Sequence, residues 1–380
     1  RTSHVPAFGP ARRPLRRANG PQPESGQHFN TFDRGYVMSP LVSVHDEWNK
    51  LEEVIVGTAR GAQVPSSDRG QHTIRCHDLD DIPVGPVDQR CLAEAEEDLD
   101  ALSVFLESQG VTVRRPVEVD HSLTYSTPAW SSDGLHNFCP RDTLLAVGQT
   151  IIETPMSLRS RQYETLAYRP ILLDYMNSGA RWISAPKPQL LESGYNRTDR
   201  ARLAVLEEEP VFDAANCLRL GRDILYLVSD SGNLLGAKWL ETVLGSEYRI
   251  HRCENVYKST HIDTTITALR PGLLLVNPAR VSEKSLPDCF SSWDLIYAPD
   301  PIDTGYVGYS FSSPWISMNL LSVTPELVVI EESQVELMRM LEAHGVQCAP
   351  MRWRHGRSLG GGFHCATTDV RRAGSLESYT

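Results

Sequence analysis

Long apolar runs, paired cysteines and a positive net charge are all missing from this 380-residue sequence. No apolar run approaches the length of a membrane span, and the run from Leu273 to Val276 is only long enough for a strand. The eight cysteines include no C-x-x-C pair, which argues against a zinc site or a disulfide framework and favours the reducing cytoplasm. A net charge of -11 argues against nucleic-acid binding and favours cationic ligands such as a guanidinium or an amine.

The first 37 residues differ from the rest, because six arginines face only two acidic residues there, among dense proline and glycine. This composition predicts a disordered tail, and we expect the native chain to start at Met38. The alternative is an organelle transit segment, but its prolines disfavour the amphipathic helix that such segments form. The remaining sequence predicts one catalytic domain over residues 38–374 and a short C-terminal tail over 375–380.

A helix-like run, a glycine and a strand recur along the domain. The clearest copies are residues 105–113 and 340–348, where Gly110 and Gly345 stand at the position after a helix that favours left-handed geometry. Weaker copies cover 172–185 and 238–252, and a fifth copy without the glycine covers 290–298. Periods of this kind indicate a repeat architecture.

Between these copies, a polar residue leads into two apolar strands joined by a turn. The leading positions are 142, 213, 261, 317 and 365. The sequence therefore predicts an α/β fold of five ββαβ units around a pseudo-fivefold axis, a five-bladed α/β-propeller. Only the last unit lacks its second strand, and we expect Leu51 to Val56 to supply it and close the ring.

Such a ring would bring Asp142, Asp213, His261 and Cys365 together at one end of its centre. Each residue also has an ordinary structural explanation. Asp142 could form a turn or an ion pair, Asp213 could cap a turn, His261 could be a hydrogen-bonded core residue, and Cys365 could be a small buried side chain. Their shared position in the repeat favours a joint site over four separate explanations.

A cysteine beside a histidine is the usual arrangement for covalent catalysis. Two nearby carboxylates would oppose thiolate formation unless the substrate is itself a cation. Arginine meets this requirement, because its guanidinium is planar, always charged and electrophilic at its central carbon. Asp263 would lie on the strand face opposite His261 if the strand is regular, so a bend would be needed for it to contribute.

Several segments resemble the amidinotransferases, the group of glycine amidinotransferase and arginine:inosamine-phosphate amidinotransferase. The resemblance covers residues 41–372 and is strongest in Pro140-Arg141-Asp142, Phe212 to Asn216, His261-Ile262-Asp263, Asn277 to Arg280, Trp315 to Asn319 and Gly360 to Cys365. It implies the propeller fold shared with arginine deiminases. It also implies Cys365 as nucleophile, His261 as acid and base, and Asp213 as its carboxylate. The positions that match the family's arginine contacts are Asp142, Asp263, Arg280, Ser312 and Ser313.

The resemblance implies a ping-pong transfer of the amidino group from L-arginine to an amine, releasing ornithine, with no metal or organic cofactor. Within the family, the sequence resembles most the bacterial enzymes that act on scyllo-inosamine phosphate in streptomycin-type antibiotic pathways. Glycine-specific members usually carry Met before the active-site histidine, whereas Thr260 stands there here. The alternatives are a glycine amidinotransferase, an arginine deiminase-like hydrolase and a non-catalytic arginine- or amine-binding propeller. The family also suggests a homodimer.

Overall fold

A computed structural model describes residues 41–66, 84–196, 198–199, 201–282 and 285–379. The predicted tail over residues 1–37 and the expected start at Met38 lie outside these ranges. None of the helices within them is long and apolar enough to cross a membrane. Seven of the eight cysteines are described, and none of these seven forms a disulfide.

The described chain forms five three-stranded sheets that share one topology. In each sheet the central strand pairs antiparallel with one neighbour and parallel with the other. Sheets I to IV follow the chain: β7 (Leu144–Val147), β8 (Thr150–Glu153) and β9 (Arg181–Ser184); β10 (Cys217–Leu220), β11 (Asp223–Leu227) and β12 (Arg249–Cys253); β13 (Ile266–Arg270), β14 (Leu273–Val276) and β15 (Asp294–Tyr297); β16 (Leu321–Thr324), β17 (Leu327–Glu331) and β18 (Gln347–Met351).

Sheet V joins the two ends of the domain. It contains β19 (Thr367–Arg372), β1 (Leu51–Val56) and β4 (Thr112–Arg114), with β1 in the centre. The prediction that the segment from Leu51 to Val56 pairs with the last unit is confirmed, because β1 runs antiparallel to β19. The small two-stranded pairs are β2 (Gln63–Val64) with β3 (Gly85–Pro86), and β5 (Tyr125–Ser126) with β6 (Ser131–Ser132).

Helices connect the central and parallel strands in four of the five sheets. The described helices are α1 (Gln89–Ser108), α2 (Pro140–Thr143), α3 (Arg169–Asn177), α4 (Leu234–Leu244), α5 (Val335–Ala343) and α6 (Gly356–Leu359). α1 begins where the Asp88 side chain accepts a hydrogen bond from the Cys91 N–H, and it ends before Gly110 at φ 79°. The fifth predicted helix is wrong, since residues 288–290 form only a short 3-10 turn before β15.

Five clusters of buried apolar side chains join the sheets in a closed series. They lie between sheets V and IV, IV and III, III and II, II and I, and I and V. Full burial of a single Leu or Ile stabilises a fold by about 1.5–3 kcal/mol, so these clusters are the main cohesive contribution. Because the series closes, each sheet packs against two neighbouring sheets.

The strands begin later than predicted. Asp142 lies in α2, Ala214–Asn216 form a 3-10 turn after Asp213, and β13 starts five residues after His261. The same holds for Ser317, which lies in the 3-10 turn Pro314–Met318 before β16. Each leading residue therefore occupies a tight turn before its strand, where a side chain can point along the strand axis and out of the sheet.

Residues 377–379 were expected to form part of a tail beyond the domain. Glu377 accepts a hydrogen bond from the Arg222 N–H through its backbone oxygen, at 2.8 Å. The Tyr379 ring packs edge-on against Trp48 with 5.0 Å between ring centroids. These contacts attach the segment to sheet II and to the turn before β1.

Candidate active site

His261 lies between two carboxylates. Its Nε2 is 3.0 Å from Oδ2 of Asp213, and its Nδ1 is 3.6 Å from Oδ1 of Asp142. All three side chains are at least nine-tenths buried. His261 also has a φ of 62°, an uncommon backbone geometry for a non-glycine residue, which turns the chain before β13. The structure therefore brings Asp142, Asp213 and His261 together at one point.

Cys365 is held by its backbone at the same point. Its N–H donates to Oδ1 of Asn319 at 2.8 Å, and its Sγ lies 3.4 Å from Oδ2 of Asp263. Ligand atoms of Cys365, His261 and Asp142 all lie within 4.8 Å of one another. The thiol and the imidazole are thus close enough to act on the same substrate atom.

The three glycines before Cys365 do different work. Only Gly360 has positive φ, at 77°, where it ends α6 in left-handed geometry. A Cβ on Gly361 would stand 2.5 Å from Sγ of Cys139, and one on Gly362 would stand 2.6 Å from Cβ of Asn319. The second and third glycines are therefore needed for close packing around the cysteine.

Asp263 faces the site without the bend that a regular strand would need, because residues 261–265 precede β13. His364 holds it in place. Nδ1 of His364 is 2.9 Å from Oδ2 of Asp263, and Nε2 of His364 is 3.2 Å from Oε2 of Glu47. The His364 imidazole therefore connects Asp263 in the site to the buried carboxylate of Glu47.

Two carboxylate oxygens in the site have no hydrogen-bond partner within the described ranges. They are Oδ1 of Asp142 and Oδ1 of Asp263, and both are buried. An unpaired buried carboxylate oxygen is costly, because it has lost its water without gaining a donor. Since both oxygens belong to residues close to the thiol of Cys365, a cation with several N–H donors would satisfy them there.

The electrostatics favour a protonated imidazole and a neutral thiol. Burial opposes charge on His261, but Asp142 and Asp213 outweigh it and raise the pKa of the imidazole well above its usual value. A hydrogen bond with Cys139, then burial and Asp263, raise the pKa of the Cys365 thiol well above its usual value. Burial opposes charge on Asp263, but the bond from His364 lowers its pKa to about 2. A cationic ligand beside Asp142 and Asp263 would offset their negative charge and so favour the thiolate form of Cys365.

Asp142, His261 and Cys365 also carry the atom types that bind zinc. A protonated imidazole, however, has no lone pair to give to a metal. The carboxylates on either side of His261 favour that protonated form, so the arrangement suits proton transfer better than metal binding.

A cavity of about 380 Å³ opens onto the thiol. Its wall includes His261, Asp263, Arg280 and Cys365, together with the serines predicted as substrate contacts, Ser312 and Ser313. Asp142 and Asp213 are not part of this wall and contact His261 instead. The structure therefore gathers all eight predicted site residues at or immediately beside one cavity.

Arg280 is fixed on the cavity wall. Its Nη1 donates to the backbone oxygen and Oγ1 of Thr264 at 3.0 and 2.9 Å, and its Nη2 lies 3.3 Å from Oγ of Ser313. The guanidinium carbon stands 3.7 Å from the centroid of the Tyr257 ring. Ser312 donates from Oγ to the backbone oxygen of Gly356 at 3.3 Å.

Two supporting residues come from one segment that the sequence did not single out. Arg161 is fully buried and donates from Nη1 to Oδ2 of Asp142 at 2.6 Å and from Nη2 to Oε2 of Glu164 at 2.8 Å. Ser157 donates from its N–H and its Oγ to Oδ1 of Asp213, both at 3.0 Å. An arginine three residues before a glutamate suggests a local ion pair, but that spacing carries no sign of burial.

Known proteins are similar to this chain in sequence. An inosamine-phosphate amidinotransferase of Streptomyces glaucescens is 55% identical over 344 residues, which cover 89% of this chain and 99% of that protein. This chain belongs to the amidinotransferase family. The mitochondrial glycine amidinotransferase of Danio rerio is 38% identical, with 89% of this chain and 84% of that protein covered. No family model matches the chain.

Solved structures agree with this membership. The structure of an inosamine-phosphate amidinotransferase from Streptomyces griseus superposes with a TM-score of 0.88 at 53% identity, covering 90% of this amidinotransferase and 99% of the other. A dimethylarginine dimethylaminohydrolase superposes with a TM-score of 0.54 at 16% identity, covering 83% of this chain and 98% of that protein. At that identity the second likeness concerns the α/β fold alone.

Proposed function

We propose that this amidinotransferase moves the amidino group of L-arginine to an amine acceptor through a covalent intermediate on Cys365. The observation that carries the proposal is a pair of buried oxygens, Oδ1 of Asp142 and Oδ1 of Asp263, which accept no hydrogen bond within the described chain and belong to residues near the thiol. A guanidinium has five N–H donors in one plane and would fill both places while bringing its central carbon to sulfur. The same cation would offset the charge of Asp263, which adds to the hydrogen bond with Cys139 and to burial in raising the pKa of Cys365.

The first half of the reaction is nucleophilic attack. The Cys365 thiolate adds to the guanidinium carbon, and the bond from that carbon to the ε-nitrogen of arginine breaks. His261 donates its proton to the departing amine, so ornithine leaves neutral at that nitrogen and an amidino group stays on sulfur. Asp213 stabilises the imidazolium that makes this donation possible.

The second half reverses the roles. An acceptor amine enters the space left by ornithine, attacks the amidino carbon and loses a proton to His261. The bond from carbon to Sγ of Cys365 breaks, and the thiolate returns with the guanidinated product released. The thiol proton of Cys365 passes to water in the cavity when arginine binds, and every later proton passes between His261 and the two amines, so we propose no metal or organic cofactor.

Arg280 is the group we assign to the α-carboxylate of arginine. A planar guanidinium matches a carboxylate with two parallel hydrogen bonds, and Arg280 is already oriented by Thr264 and Tyr257. Ser312 and Ser313 lie on the same cavity wall and supply hydroxyls to the amino-acid end. This places the donor's charged end at the wall and its guanidinium at the sulfur.

The acceptor we propose is scyllo-inosamine phosphate, in a pathway of the streptomycin type. The two Streptomyces relatives carry inosamine-phosphate in their names and match nearly their whole length. Thr260 on the cavity wall, smaller than the Met of glycine-specific members, leaves more room for an aminocyclitol ring. Glycine is the alternative acceptor.

A panel of amines tests this assignment. With arginine as donor, scyllo-inosamine phosphate should be guanidinated with a kcat/KM at least about 100-fold above that for glycine or lysine, since a cavity shaped for one polar acceptor leaves its groups unpaired with another. Product identity is read by mass spectrometry. Preferred transfer to glycine would replace the acceptor assignment and leave the cysteine chemistry in place.

We also propose the propeller fold, the domain bounds and the cellular compartment that the sequence predicts. Five sheets with a closed series of apolar clusters support a five-bladed α/β-propeller, with residues 38–374 as its single catalytic domain. The prediction of a tail over residues 375–380 is not supported in the same way, because residues 377–379 contact the domain. Seven described free cysteines support a cytoplasmic setting. A homodimer stays a prediction from the family.

A further inference from the structure

Two arginines line the catalytic cavity, and the donor accounts for only one of them. Arg280 is assigned to the α-carboxylate of arginine, whereas the proposed donor contacts leave Arg357, on the same wall, without a ligand. The deep end of the same cavity is acidic through Asp263, with Asp142 beyond it. An acceptor that carries a phosphate needs a cation away from that acidic end, and Arg357 is the cation left on the wall.

The position of Arg357 is built into the fold. It lies in α6, directly before the glycines that lead to Cys365, and it is 8% exposed. Nε donates to the backbone oxygen of Ser312 at 3.1 Å, and Nη2 donates to Oγ of Ser310 at 2.8 Å. The guanidinium carbon stands 4.9 Å from the centroid of the Tyr306 ring. These contacts orient the planar group, so it loses little freedom when it binds an anion.

Asp303 completes the present set of partners. Both of its oxygens accept from Nη1 of Arg357 at 2.6 Å. The Asp303 side chain is 49% exposed and lies outside the regular elements, in the stretch between β15 and β16. A phosphate carries more charge and more acceptor oxygens than a carboxylate, so it can replace Asp303 and also use the remaining N–H of Nη2.

We propose that Arg357 is the residue that recognises the phosphate of the acceptor, with Asp303 occupying its guanidinium until the phosphate arrives. The inference rests on the proposed function, because it needs a phosphorylated amine as acceptor. Arg357 then determines specificity in the second half of the reaction only. Repulsion between the phosphate and Asp263 turns the acceptor so that its amine, and not its phosphate, faces Cys365.

The test compares scyllo-inosamine phosphate with unphosphorylated scyllo-inosamine in the wild type and in Arg357→Gln. We expect the substitution to raise KM for the phosphorylated acceptor about 10- to 100-fold, which is the effect of losing one or two charge-assisted hydrogen bonds. KM for the unphosphorylated acceptor and the burst of ornithine from arginine alone should change by less than about threefold. Arg339→Gln, on the exposed face of α5 beside Glu336, is the matched control and should change neither.

The Asp303→Asn variant tests whether Arg357 binds the phosphate or only supports the surrounding chain. If Arg357 binds the phosphate, this variant should hold KM for the phosphorylated acceptor unchanged or lower it, because a competitor for the guanidinium is gone. Arg357→Lys should fall between wild type and Arg357→Gln. Equal losses on both acceptors in Arg357→Gln, or the same loss in Asp303→Asn, would overturn the inference. If the wild type does not guanidinate scyllo-inosamine phosphate at all, the acceptor assignment itself has failed, and the wild-type assay shows this before any variant is made.

Discussion

The protonation of His261 depends on its two acidic neighbours. Asp213 lies 3.0 Å from one ring nitrogen and Asp142 lies 3.6 Å from the other, so the imidazolium is stabilised from both sides. A histidine held in its charged form can give a proton to ornithine at neutral pH. The reaction then needs only the thiolate, which arginine itself helps to form by bringing positive charge to Asp142 and Asp263.

Replacing Asp213 with Asn should move the pH profile of ornithine release. The acid form of His261 is required, so the rate falls as pH rises through the pKa of the imidazole. Removing one carboxylate lowers that pKa, and the alkaline decline should therefore begin about one to three pH units lower. Single-turnover rates measured from pH 6 to 10 report the shift.

The matched control for this change is Asp174→Asn on α3, whose side chain is 58% exposed. It removes the same charge far from His261 and should leave the profile where it is. An unshifted alkaline limb in Asp213→Asn would mean that another group carries the proton. A loss of rate that is equal at every pH would point instead to misplacement of the imidazole.

The main site residues could be predicted because each stands at the same place in a repeat. Asp142, Asp213, His261 and Cys365 lie far apart in the chain, and the repeat period alone put them together. Asn319 lies two residues after the fourth leading position, Ser317, but nothing marked it as the partner of the Cys365 N–H. Contacts of that kind depend on how loops pack, which local patterns do not record.

Short turns, and not strands, carry the reacting groups. The sequence pattern predicts that each strand starts at the polar residue that leads into it. The observed strands start later, by five residues in the case of β13. Alternation cannot distinguish a strand from the turn that enters it when both are buried. The correct picture also explains how Asp263 reaches the same cavity as His261.

Gly361 shows what the turn before Cys365 requires. A methyl group there would stand 2.5 Å from Sγ of Cys139 and 3.0 Å from Cβ of Cys365, so Cys139 or the turn that carries Cys365 must shift. We expect Gly361→Ala to slow ornithine release about 100-fold, the cost of moving a reacting group by roughly 1 Å. Single-turnover assays with saturating arginine measure the effect.

Gly194→Ala is the control, because its nearest foreign atom is 3.7 Å away and the glycine does not have positive φ. It should retain wild-type rates. If Gly361→Ala also retained them, the close packing around Cys139 and Cys365 would have no part in aiming the sulfur.

At the scale of the whole molecule, a network of buried charged side chains connects separate parts of the fold. Arg219 in sheet II donates to both oxygens of Glu47 at 2.7 and 2.8 Å and to Asp369 of sheet V at 2.9 and 2.8 Å. Arg141 and Arg372 also pair with Asp369. The network connects the chain before β1 with two sheets, and through His364 it reaches the catalytic cavity.

Arg219→Met should destabilise the fold by about 3–5 kcal/mol, because Glu47 and Asp369 would each lose a buried partner. Chemical denaturation followed by circular dichroism gives the free energy of unfolding. Arg339→Met on the exposed face of α5 should change it by less than about 0.5 kcal/mol. A loss below about 1 kcal/mol in Arg219→Met would show that the remaining arginines suffice to hold the centre.

The pairing of the first and last strands could be predicted from the sequence, whereas the buried charges between the sheets could not. The missing second strand of the last unit pointed to Leu51 to Val56, and β1 takes that place. The charged centre had no comparable signal, since Glu47, Arg219 and Asp369 lie in unrelated parts of the sequence and resemble ordinary surface residues there. They are buried because sheets II and V and the chain before β1 meet at this network.

The most direct test of the account is to mix the protein with arginine and no acceptor. The covalent mechanism predicts one ornithine per active site followed by a stall, with the mass of an amidino group retained on the peptide that contains Cys365. The Cys365→Ser variant should release none. Continued release of citrulline, or ornithine formation by the serine variant, would contradict a transferase that works through this cysteine.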